Sequence, residues 1–258
     1  MLLSRGTGRE RTGLANTAGG ATGMALHETR FPGESDEYRR ARDELLLAEL
    51  DLRRQVEAVA AQRRALPLGG ALAADYTFDE WDAAVGKVRH VRFAELFAAG
   101  KDSLVVYSFM FKPGDAGVPL EVPCPLCTSI IDGIDGAVPH ITQRINFVVV
   151  TKAPIESFSA HARARGWRHA RLLSSAGTSF NSDYQVESGD ADQYAMVTVF
   201  VRRGDTIHHF WSSEAWFMPP EPGQNPRHVD FMWPLWAVLD RTQEGRGTDW
   251  WPTLAYRS

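Results

Sequence analysis

Only two cysteines occur in 258 residues, and two positions separate them, in Cys124-Pro125-Leu126-Cys127. No other feature constrains the chain as much. Disulfide staples of secreted proteins stabilise by closing long loops, and this pair would close almost none. Two thiols at this spacing point instead to redox chemistry or metal binding in a reducing compartment, so the cytoplasm is the expected location.

The flanking residues sharpen the choice. Residues 103–111 form an unbroken apolar and aromatic run, which is how a strand covered on both faces reads. A Pro- and Gly-rich loop over 112–123 leads to the dithiol. Residues 128–144 follow as a helix, with Ile130, Ile131, Ile134, Val138 and Ile141 inward and with Gly133, Gly136 and Pro139 weakening it. The run 145–150 is a second buried strand. A helix over 155–165, opened by Pro154 and closed by Gly166, comes next. Residues 196–203 and 206–213, joined at Arg203-Gly204-Asp205, read as a hairpin. Strand, dithiol helix, strand, helix and antiparallel hairpin is the thioredoxin order, giving an α/β fold.

Three segments surround this core, and the predicted divisions are 1–23, 24–70, 71–213 and 214–258. Residues 1–23 are Gly/Ala/Thr-rich without amphipathic pattern and are expected to be disordered, with Met24 as a natural start. No apolar core of signal-peptide length is present. The arm 24–70 contains a long helix over 34–66, capped by Ser35 and stopped by Pro67. Its stripe is Leu45, Leu46, Leu52, Val56, Val59 and Ala60, interrupted by Glu49. A homodimer through a coiled coil is one use for it, although the stripe departs from heptad spacing. Tyr76-Thr77-Phe78 is expected to start an edge strand, and residues 92–97 a helical turn. The tail 214–258 is rich in Trp, and such density points to packing or interface anchors before a cofactor box. A net charge of -4 gives no electrostatic reason for nucleic acid or anionic membranes as partners. Every apolar run is too short to span a bilayer.

A thiol at a helix N-terminus faces unpaired backbone N–H groups and the positive end of the helix dipole, which stabilise its thiolate. The thiolate is the attacking species in disulfide exchange. Cys124 is therefore the expected nucleophile, and Cys127, one turn inside the helix, the thiol that resolves the mixed disulfide. Pro125 costs nothing at the first helical position, where its missing N–H has no intrahelical partner. Electrons pass through the dithiol itself, so no organic cofactor is called for. The partner is a protein or small-molecule disulfide. Tyr107, at the end of the preceding strand, is a candidate neighbour of the sulfurs, as is each flanking carboxylate, Glu121 and Asp132. His208 and His209 are adjacent on a strand, so one of them is a candidate base facing the dithiol. Two alternatives stand beside thiol exchange. One is a zinc or copper site using Cys124 and Cys127 with His140 and His228. The other is a non-catalytic interaction module built on the long helix and the Trp-rich tail.

The chain also resembles a known family, the thioredoxin-like bacterial proteins grouped as domain of unknown function 899. The likeness rests on Phe31-Pro-Gly-Glu-Ser35, Arg63-Arg-Ala-Leu-Pro67, Leu104-Val-Val-Tyr107, Phe109-Met-Phe111 and Cys124-Pro-Leu-Cys127. It continues through Asp132-Gly-Ile-Asp-Gly136, Ser174-Ser175, Phe180-Asn181, Trp233-Pro-Leu-Trp236 and Leu239-Asp240. It implies a thioredoxin fold and thiol redox chemistry. Against thioredoxins, Met196 stands where a cis-proline faces the dithiol. Against peroxiredoxins, Gly117 and Glu121 replace the Pro and Thr of the peroxidatic motif, which disfavours peroxide reduction by that route.

Overall fold

The computed structural model describes residues 26–111, 122–188, 192–222, 227–247 and 250–256. The stretch 1–23, most of the loop before the dithiol and Glu121 lie outside the described residues. The chain divides into two compact units, one ending at Arg64 and one beginning at Ala65.

The first unit carries α1, Asp36–Arg64. The Ser35 hydroxyl accepts the backbone N–H of Tyr38 at 3.1 Å, as an N-cap does. Asp36 and Glu37 fill the first turn, where the positive helix end favours carboxylates. Arg39 is buried and paired with Glu34 and Asp43 at 3.6 and 2.9 Å. Of the expected stripe, Leu45, Leu52 and Val56 are exposed.

The second unit is built on a seven-stranded sheet. Its strands are β1 (Thr77–Asp82), β2 (Lys87–Arg92), β3 (Ser103–Ser108), β4 (Asn146–Thr151), β5 (Leu172–Ser174), β6 (Met196–Arg203) and β7 (Thr206–Ser212). The order across the sheet is β2-β1-β5-β4-β3-β6-β7. β3, β4 and β5 run parallel, and the outer neighbours pair antiparallel. Parallel neighbours need a crossover. Here α2 (Pro125–Ile134) connects β3 to β4, and α3 (Ile155–Arg165) connects β4 to β5. With the β6–β7 hairpin added on the far side of β3, this is a thioredoxin-like fold.

Three strands depart from expectation. Tyr76–Phe78 leads into β1, which is not at the edge because β2 covers it. β2 reads Lys-Val-Arg-His-Val-Arg, whose charge suits an edge and hides its two inward valines. β5 has three residues within a turn-rich stretch, too few to show a period. The helix after the dithiol is also shorter than expected. It stops at Ile134 and continues as separate turns, Asp135–Ala137 and Val138–Ile141. Gly136 and Pro139 break it, and Asp135 is drawn away to accept the N–H groups of Arg168, His169 and Ala170 at 3.0, 3.0 and 2.9 Å. Gly166 does close α3 in the left-handed region, with φ +78°.

Pleating sorts the central strands into two faces. Leu104, Val106, Val148, Val150 and Phe200 share one side with Phe78, Phe93 and Phe180. Tyr107, Phe147, Val149 and Val197 lie on the other, packed with residues of α2 and α3. The tail supplies the turns Glu214–Phe217 and Asp230–Met232, then α4 (Pro234–Leu239). It packs back on α2, where a Cβ at Gly133 would lie 3.1 Å from Cγ of Pro234. Only glycine accommodates that approach without a shift.

Candidate active site

The dithiol sits where β3 gives way to α2. The Cys124 N–H donates to the Met110 carbonyl at 3.0 Å, tying the returning chain to the strand's end. Cys124 caps α2 and Pro125 takes its first position. The two cysteines lie 3.7 Å apart. Cys124 is partly accessible, whereas Cys127 is buried.

Their electrostatics are opposed. A hydrogen bond from the Cys127 side chain brings the Cys124 thiol down to about 6, and the backbone N–H groups of Cys127 and Leu126 assist it against burial. Burial, followed by the neighbouring Cys124, pushes Cys127 well above the usual thiol range. The site thus holds one thiolate ready at neutral pH beside one protonated thiol.

Tyr107 is fully buried, and its hydroxyl stands against Cys127 without a conventional hydrogen bond. Burial and the sulfur's charge raise its pKa. The α2 N-terminus is braced from α3. The Thr128 hydroxyl donates to the Cys124 carbonyl at 2.9 Å, so it accepts from Nε2 of His161 at 3.1 Å. Burial, then Arg165, lowers the His161 pKa, which keeps the ring neutral. The reading of the sequence missed His161. Its signal was the inward face of the helix, on which Phe158, His161 and Arg165 recur at helical spacing.

The tail closes over the nucleophile. Trp233 donates its indole N–H to Ser129 Oγ on α2 at 3.1 Å. Trp233 and Trp236 pack edge to face at 5.0 Å, and Trp250 and Trp251 abut Trp236 at 6.0 and 5.9 Å. With Ile130 and Ala195, three of these rings, Trp233, Trp236 and Trp251, border a hollow of about 160 Å3 that also touches both sulfurs. The expectation of packing anchors holds for Trp233 and Trp236, which are buried, but their packing also shapes the site.

Other expected site residues lie elsewhere. Asp132 is five residues beyond Cys127, roughly 140° around the helix. It pairs with Arg165 and accepts the Trp167 indole N–H at 2.7 Å, so it is a tether between α2 and α3 rather than a proton acceptor for the thiols. His208 donates from Nδ1 to the Gly69 carbonyl at 3.2 Å. His209 stacks on Tyr184 and bonds to Ser212 at 2.9 Å. Neither borders the dithiol hollow. Met196 is buried opposite Ser108, and its neighbour Ala195 is the residue that reaches the hollow. His140 is exposed on the turn Val138–Ile141. His228 borders the hollow but donates from Nε2 to the Ala195 carbonyl at 2.6 Å. Among the described residues no group of three or more His, Cys, Asp or Glu is placed to hold a metal ion, so the quartet Cys124, Cys127, His140 and His228 is not assembled.

A strand running into a dithiol at a helix N-terminus, on this sheet, defines the class: a thioredoxin-like domain carrying a CxxC pair. Residues 28–256 match the family described as bacterial protein of unknown function (DUF899), and the chain belongs to that family. No curated protein matches it. Among solved structures it is similar to peroxidoxin BcpB of Mycobacterium tuberculosis, at 17% identity over 66% of this chain and 95% of that one, with a TM-score of 0.41. Thioredoxin peroxidase I of Plasmodium yoelii is 15% identical over 74% and 100% of the two chains, at 0.40. The lipoprotein thioredoxin Etrx1 of Streptococcus pneumoniae strain TIGR4 is 11% identical over 63% and 99%, at 0.36. Scores this low carry no argument about chemistry. No helix among the described residues is long and apolar enough to cross a membrane.

Proposed function

We propose that the protein is a thiol–disulfide oxidoreductase in which Cys124 attacks and Cys127 resolves. The observation that carries this reading is the opposed pair: a partly accessible Cys124 drawn down to about 6 beside a buried Cys127 pushed up. Disulfide exchange needs that division of labour, since the low-pKa thiol is thiolate at neutral pH and the second thiol stays protonated until a mixed disulfide forms. The electrons travel through the two sulfurs, and a reducing cytoplasm fits two free thiols. Pro125 starts the helix whose N–H groups hold the thiolate, and Tyr107 backs the resolving sulfur.

The test is the midpoint potential of the pair, read by thiol trapping and mass spectrometry across dithiothreitol redox buffers. A reversible two-electron transition within about -120 to -270 mV is expected, the span of known oxidoreductases. The Cys124→Ser protein is expected to lose disulfide reduction. Absence of a transition, or full activity in that variant, would overturn the assignment.

A further inference from the structure

We infer that the hollow beside Cys124 is a subsite for one ring-sized apolar group, so that the disulfides exchanged here are small molecules with an aryl or compact alkyl arm. This rests on the dithiol being an exchange centre and adds what the centre selects. The hollow measures about 160 Å3, and Cys124 and Cys127 form part of its lining. An apolar cavity of about 150 Å3 accepts a molecule the size of benzene. Pockets for whole drug-sized ligands run to about 300–1,000 Å3, so this one holds a single arm of a substrate and not a folded chain or a nucleotide.

The walls suit that occupant. Ile130, Ala195, Trp233, Trp236 and Trp251 present aliphatic and aromatic surface. They are fixed before any ligand arrives: Trp233 by Ser129, and Trp236 by the Arg246 guanidinium 4.9 Å above its ring and by the edges of Trp250 and Trp251. The charged groups at the border are satisfied by one another. Asp230 takes Arg227 at 2.7 Å and Arg246 at 2.9 Å, and His228 spends its Nε2–H on a carbonyl, which leaves its neutral Nδ1 as a buried acceptor without a hydrogen-bond partner. A charged arm would find no unspent counter-charge there, whereas a ring would lie against aromatic and aliphatic wall.

The reaction balances without a cofactor. The Cys124 thiolate attacks the sulfur bearing the apolar arm. A bond forms between the two sulfurs, the substrate's own S–S bond breaks, and its other half leaves as a thiolate that takes a proton from water. Cys127 then gives up its proton to water and attacks the Cys124 sulfur, which closes the Cys124–Cys127 disulfide and releases the arm as a thiolate that is protonated in turn. Two electrons pass to the substrate, and an external dithiol reductant restores the pair.

The Cys127→Ser protein, which stops at the mixed disulfide, separates this idea from the reading beneath it. Benzyl 2-hydroxyethyl disulfide and bis(2-hydroxyethyl) disulfide share a leaving group and differ in the arm. Mass spectrometry of the adducts gives the rate and identity for each. The benzylthio adduct is expected to form faster by about tenfold to a hundredfold, the discrimination that a single methylene in a hydrophobic pocket already supplies. Adding Trp251→Ala opens the wall and adding Ala195→Leu fills the hollow, and each is expected to bring the ratio toward one in protein whose circular dichroism is native. Equal rates with both probes, or a ratio that survives both substitutions, overturns the subsite and leaves thiol exchange standing. No adduct with either probe overturns exchange itself.

Discussion

The two faces of the sheet are packed in different ways from the same strands. On one, Phe93 and Tyr184 each meet Phe200 at 4.8 Å, and Phe180 meets Tyr184 at 5.0 Å and Phe78 at 5.3 Å. On the other, alternate residues of β3 and β4 back two sulfurs, an unsatisfied hydroxyl and a hollow. The first face supplies interlocked area, and the second gives up some packing to hold chemistry. Tyr107 and Val106 are adjacent in sequence, yet they serve these different ends. The largest effect we expect comes from the first face. Phe180→Ala leaves a cavity in the aromatic cluster and costs about 3–5 kcal/mol in denaturant unfolding. The pH profile of Cys124 alkylation stays in place in the protein that remains folded. A profile that moves along with stability breaks the division between the faces.

A change on the dithiol face acts in the opposite sense. Cys127→Ala removes the first cause of the lowered Cys124 pKa. The midpoint of iodoacetamide alkylation then rises from about 6 toward the ordinary thiol value near 8.5, and at pH 7 the rate falls by roughly tenfold or more. Stability follows the same sign. A folded thiol that titrates below its unfolded value contributes stability fully above about pH 8.5, and that contribution fades as pH falls through about 6. The variant flattens this slope in the reduced protein. An unchanged alkylation midpoint would show that the helix N–H groups alone hold the thiolate.

How much of this was legible beforehand divides along the same line. The buried central strands, the dithiol at a helix start and the Gly166 cap were all visible, because each depends on local composition or period. β2 and β5 were not: one is charged at an edge, and the other is three residues long. At the site, Cys124, Cys127 and Pro125 could be placed because they are contiguous. Tyr107 was named, since a strand's end points at the loop that follows. Asp132 and the two histidines of β7 could be offered only as candidates, because nearness in sequence says nothing of the flank on which a side chain emerges. Arg165 and Trp167 claim Asp132, and Gly69 and Ser212 claim the histidines. The wall of tryptophans is separated from the dithiol by about half the domain, and no local pattern states that a tail returns.

The finest test of the comparison is Tyr107→Phe, which removes one oxygen from the dithiol face. If Tyr107 were core alone, losing a buried hydroxyl that lacks a conventional partner would relieve a desolvation cost, and stability would change by less than about 1 kcal/mol. We expect that small change. The hydroxyl also lies against Cys127 and opposes the rise of that thiol's pKa, which burial and Cys124 drive upward. Without it the resolving thiol holds its proton more tightly, its thiolate fraction falls, and its attack on the mixed disulfide slows. Formation of the Cys124 adduct is expected to keep its rate, while release of the second thiol slows by a factor of several. Single-turnover kinetics with a small disulfide resolve the two phases. Slowing of the second alone assigns Tyr107 to positioning, and two unchanged phases return it to the core.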